Sequence, residues 1–134
     1  MSESVEPTVL TVIVGGYVGD TYGVHWEDQA LFYDHFAHGF DRQGTVELHP
    51  SPAQWQRFWA TLDRIGVWQW GSSYRDDSIL DGPRWYVEIE VGAKRIESYG
   101  SNAYPERVEI SRGQAPFQRF CRAVSRLVGG RAFH

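Results

Sequence analysis

The alternation of apolar and polar positions is clearest between Arg84 and Pro105. Trp85, Val87, Ile89 and Val91 alternate with Tyr86, Glu88 and Glu90, the period of a strand with one buried face. Gly92-Ala93 then suits a two-residue type II′ turn, because glycine takes a positive φ at little cost. That turn sets a register in which Val91 faces Lys94, Glu90 faces Arg95, Ile89 faces Ile96 and Glu88 faces Glu97. The apolar pair falls on one side and the charges on the other. Glu88 opposite Glu97 is a like-charge pair, tolerable if both are solvated or if Arg95 lies diagonally between them. Gly100 to Pro105 is expected to end the strand, since Pro105 lacks an N–H and Gly100 and Asn102 favour turns.

The same reading extends along the chain. Residues 1–7 carry no period and predict a disordered N-terminus. Thr8 to Val14 is rich in β-branched residues and predicts a strand, broken by Gly15-Gly16 and Gly19-Asp20. Tyr22 to Trp26 and Gln29 to Phe36 read as two more strands joined by a tight turn at Glu27-Asp28. Ala37 to Gln43 reads as a loop and Thr45 to His49 as a short strand. Ser51-Pro52 opens a helix, with serine as N-cap and proline at the first helical position. Trp55, Phe58, Trp59, Leu62 and Ile65 form its apolar stripe, Gln56, Arg57, Asp63 and Arg64 face away, and Gly66 stops it. Val67 to Tyr74 is expected to be a strand burying Trp68 and Trp70 on one face, and Arg75 to Pro83 a connection. Glu106 to Ile110 fits either an edge strand or an irregular lead-in. From Pro116, the positions Phe117, Phe120, Cys121, Val124, Leu127 and Val128 keep helical spacing up to Gly129-Gly130. These elements predict a single α+β domain over residues 8–134, a mainly antiparallel β-sheet with two helices packed on one face.

Composition narrows the function classes. The chain has 134 residues, 42% of them hydrophobic and 15% aromatic, enough for one domain with a real core and too short for two. The single Cys121 rules out an internal disulfide, and no charged n-region followed by an apolar h-region opens the chain, so a cytoplasmic location is expected. No apolar run is long enough to cross a bilayer as a helix, and no membrane partner is expected. A net charge of −4 argues against nucleic acid as a partner, because phosphate neutralisation needs a basic surface. The charge is nevertheless segregated: residues 1–50 hold eight acids against one base, Arg42, and residues 111–134 hold five arginines and no acid. Such a division serves intramolecular pairing, partner steering or self-association.

The pieces Trp55-x-x-Phe58, Trp68-x-Trp70, Tyr74, Asp81-Gly82-x-x-Trp85 and Gly100-Ser101-Asn102-Ala103-Tyr104-Pro105 resemble a group of small bacterial proteins of unknown function. That group shares a DG-x-x-W strand and a G-x-N-A-Y-P turn. The resemblance covers roughly residues 50–105. It implies a domain of this kind and no particular activity, and Glu106 to Ala115 is longer here than that pattern has it.

Several residues invite chemistry. Gly-Gly-Tyr-Val-Gly-Asp-Thr-Tyr-Gly at 15–23 has the glycines of a phosphate loop without its Gly-Lys-Ser/Thr ending or a following helix. Histidines 25, 35, 38, 49 and 134 and Asp34 could ligate a metal only if the fold brought His35, His38 and His49 together, since no ligand spacing is present. Cys121 lies on an apolar stripe, where a thiol is an inert small hydrophobe. Asp76, Asp77 and Asp81 have turn chemistry, and Glu88 and Glu90 fall on the polar side of a strand. Asn102 and Tyr104 are the strongest binding candidates, with the Asp81 turn beside them and Arg75 or Arg84 as holders of an anion; the competing expectation is that Asn102 and Tyr104 only build their turn. No catalytic residue, metal or cofactor is assigned. The expected function is a non-enzymatic protein-interaction domain, of the kind that includes toxin-neutralising immunity proteins, its partner another protein or a second copy of itself. The alternative is a small hydrolase or small-molecule binding protein with its site at the Asp81 and Asn102 turns.

Overall fold

The computed structural model describes residues 6–15, 20–37, 41–75, 84–101, 103–105 and 116–133, apart from the side chains of 41–43. Among these residues seven strands form one sheet: β1 (Val9–Gly15), β2 (Thr21–Glu27), β3 (Ala30–Ala37), β4 (Asp41–Leu48), β5 (Ser73–Arg75), β6 (Arg84–Val91) and β7 (Lys94–Ser101), in the order β4-β3-β2-β1-β6-β7-β5. All neighbours are antiparallel except β5 and β7. The helices are α1 (Pro52–Ile65) and α2 (Pro116–Leu127). No helix among the described residues is long and apolar enough to cross a membrane.

The β6–β7 hairpin has the register that its turn dictates, from Val91 opposite Lys94 to Glu88 opposite Glu97, and Gly92 takes a φ of 57°. Elsewhere the turns and ends differ from expectation. The β2–β3 turn sits at Asp28-Gln29, both with positive φ (51° and 63°), the twist that a two-residue hairpin between right-twisted strands requires. β4 begins at Asp41 rather than Thr45, because the long β3 offers it a ladder across a bulge at His35/Phe36. Gly100 does not end its strand but pairs with both Trp85 and Tyr74. Val67 to Tyr74 is not one strand: Gly66 reverses the chain in the left-handed region, a short 3-10 turn holds Val67–Gln69, and only Ser73–Arg75 joins the sheet. At the other end, Pro7 is buried and the Thr8 N–H donates to the Glu90 carbonyl; residues 1–5 and Glu106 to Ile110 lie outside the described residues.

Both helices cover one face of the sheet. α1 has the cap its sequence announces: Ser51 accepts from the Gln54 N–H, Gln54 reaches back to the Ser51 N–H, and Gly66 takes a φ of 82°. It runs from Trp26 on β2, whose ring meets that of Trp55 at right angles, to Lys94 on β7, which donates to Asp63. α2 returns, from Phe117 beside Trp85 on β6 to the turn where the Ala132 carbonyl accepts from Tyr33 of β3. Leu10, Val12, Val24, Leu31, Val87 and Ile89 beneath them are sealed together with Trp55, Leu62, Phe120 and Val124. Among the described residues the other face carries no helix.

Candidate functional site

The open face follows from strand period and register alone. One rung crosses all seven strands: Thr45, Asp34, Gly23, Ile13, Tyr86, Tyr99 and Ser73 lie side by side from β4 to β5. Ile13 and Tyr99 are the large hydrophobic residues most exposed among those described, at 44% and 45%, and Tyr86 between them is half-buried. They form a continuous apolar row instead of scattered single contacts.

Charges border that row. Towards the β6–β7 turn, Tyr86 Oη lies 3.0 Å from both Glu88 and Glu97, so one proton serves two carboxylates. Arg95 reaches Glu88 and Glu90 at 3.4 Å and Glu97 at 3.7 Å, and the repulsion of the like-charge pair is thus offset in part by the diagonal arginine. The Tyr86 hydroxyl is held well above its ordinary 10.0, first by burial, then by its bonds to the two carboxylates. On the opposite side of the row, Arg84 and Arg75 flank Ser101 in the next rung, both exposed, with backbones about 10 Å apart at two strand spacings. On the β2–β4 half, the 7% exposed Asp34 accepts from Thr45 and lies 3.6 Å from His25, which stacks on Phe32.

The structure therefore brings Arg75 and Arg84 together on the open face. Tyr104 is elsewhere: it lies near-parallel to Trp85 at 6.4 Å and against Phe117 at 5.0 Å, packed on the core under the helices. Asp81 and Asn102 lie outside the described residues, as do Asp76 and Asp77. Sequence reasoning missed Ile13, Tyr86 and Tyr99, although the outward period of their strands, Arg95-x-Glu97-x-Tyr99 for one, marked their side.

The other candidate groups are distributed singly. His35 meets Asp20 at 2.7 Å and stacks on Tyr22, whose hydroxyl is raised by burial and then by Asp20. His49 pairs with Glu47 instead, so these two histidines do not converge; His38 and His134 lie outside the described residues, among which no group of metal-ligating side chains gathers. The buried Cys121 thiol is pushed up to about 12 by burial, which leaves it protonated and unreactive near neutrality. Comparison with known proteins gives no family model and no curated protein that matches the chain.

Proposed function

We propose that the chain is a non-enzymatic protein-interaction domain, located in the cytoplasm, that contacts its partner through the open face of its sheet. The observation that carries this reading is the Ile13–Tyr86–Tyr99 row with Arg84 and Arg75 beside it. Tyrosine and arginine are the residue types over-represented where binding energy concentrates, since each couples large contact area to directed hydrogen bonds. The row is carried on paired strands, so little order has to be gained on binding. An immunity-like role is one member of this class.

The test uses tagged protein in native purification. A stoichiometric partner recovered by the wild type and by Gln56→Glu on the exposed side of α1, but lost on combined Ile13→Glu and Tyr99→Glu with thermal stability unchanged, supports the reading. Retention by the double variant contradicts it. A small-molecule site at the same corner is the second reading, favoured by the positions of Arg84 and Arg75 on the strands either side of Ser101. A thermal shift with anionic metabolites that disappears on Arg84→Ala would support it instead.

A further inference from the structure

α2 carries Arg119, Arg122 and Arg126 on its exposed side, opposite the buried Phe117, Phe120, Cys121, Val124 and Leu127. At 3.6 residues per turn these three lie within an arc of about 60° and along about 10 Å of helix. No acid occurs anywhere in residues 111–134, and no ion pair joins any of the three to another described residue. Arg126 in the last turn suits the helix dipole, but the rest of the arrangement is locally unfavourable. Like charges three and four residues apart repel, and Arg119 closes a first turn that holds no acid, at the end where the helix dipole favours anions. The lysine of the sheet behaves differently, since Lys94 is held by Asp63 and lies over the Trp68 ring.

From this geometry we infer that the α2 arginine stripe is a docking surface for an acidic helical segment of a partner protein. Carboxylates at i, i+3 and i+7 of such a segment repeat the spacing of the guanidinium groups, and an arginine fork meets each in a two-bond geometry. A nucleic acid is a poorer occupant. The stripe matches only a short acidic segment, and a long polyanion extending past it would meet a chain that is net negative and carries eight acids in its first fifty residues. The stripe lies on the helix side of the sheet, so this inference stands apart from the open-face contact.

The experiment titrates the full chain with a short helical peptide bearing glutamates at i, i+3 and i+7, and in parallel with a single-stranded oligodeoxynucleotide and with phosphatidylserine vesicles. Peptide binding that weakens about tenfold on Arg122→Glu and survives both Arg57→Glu on α1 and the combined Ile13→Glu and Tyr99→Glu is expected. Arg122→Lys should retain part of it. Because the side chains are exposed, reversal of charge should leave the thermal midpoint level or raised. No peptide binding at about 1 mM, binding unchanged by Arg122→Glu together with Arg119→Glu, or tighter binding of the oligonucleotide or vesicles than of the peptide would each overturn the inference.

Discussion

Gly100 shows how a single hydrogen atom decides the packing of the sheet. A Cβ built there would lie 2.0 Å from Trp85 Nε1 and 2.5 Å from the Ala103 carbonyl oxygen, the two atoms that bond each other at 2.9 Å. Gly100→Ala is therefore expected to cost roughly 2 to 4 kcal/mol in denaturant melts, since the indole must move and its bond to Ala103 is lost; a cost under about 0.5 kcal/mol would mean that Trp85 is mobile. Glycine was legible in the sequence as a breaker of regular structure, yet its role here is close approach, which depends on Trp85 one strand away. Tyr86 gives a second residue-scale expectation. Its raised pKa means that the folded state holds the phenolic proton more tightly than the unfolded chain. The resulting stability is complete below pH 10.0, the ordinary value, and fades as pH climbs above it. Tyr22 and Tyr33 are shifted the same way, so Tyr86→Phe should lessen the alkaline loss of stability without abolishing it. An alkaline limb identical in wild type and variant would contradict the shared-proton account.

At the scale of elements, α1 was legible because its signals are local. Ser51, Pro52, the apolar spacing and Gly66 each act within a few residues, and Ser51→Ala should cost about 1 kcal/mol through the lost cap. Which tryptophan the helix buries was less legible. The stripe placed Trp59 with Trp55, but Trp55 is 1% exposed while Trp59 is half-buried and stacks over it at 5.5 Å. Trp55→Ala is accordingly expected to cost roughly 3 to 5 kcal/mol and Trp59→Ala markedly less; the reverse order in chemical denaturation would mean that α1 is rotated. Trp55 Nε1 has no hydrogen-bond acceptor among the described residues, and the Trp55 and Trp26 rings meet at 89°. The segment after Gly66 misled because Trp68 and Trp70 sit two apart. Each is in fact claimed by a different neighbour. Trp68 donates to Asp63, whose carboxyl is lowered first by its bond to Lys94 and then by Trp68, while Trp70 packs on Trp85, Phe117 and Phe120. Tertiary partners of that kind override a period-two pattern over so short a stretch.

For the whole molecule, the α+β class and the helix-covered face follow from patterning, because the apolar sides of the strands and the two helical stripes can only cover one another. The strand order does not, since pairing β1 with β6 joins residues far apart in sequence, and with it was hidden the rung that gathers Ile13, Tyr86 and Tyr99. Arg75 and Arg84 were legible as candidates individually, but their convergence depends on the parallel pairing of β5, a strand of three residues. The two faces consequently offer opposed reporters: Tyr99 and Ile13 on the open side, Trp59 and Trp68 on the helix side. Hydroxyl-radical footprinting of the protein, first alone and dilute and then in complex with its purified partner, compares them directly. Strong protection of Tyr99 and Ile13, with Trp59 and Trp68 unchanged, is the expected result. Protection of Trp59 and Trp68 with Tyr99 and Ile13 left fully reactive would contradict it.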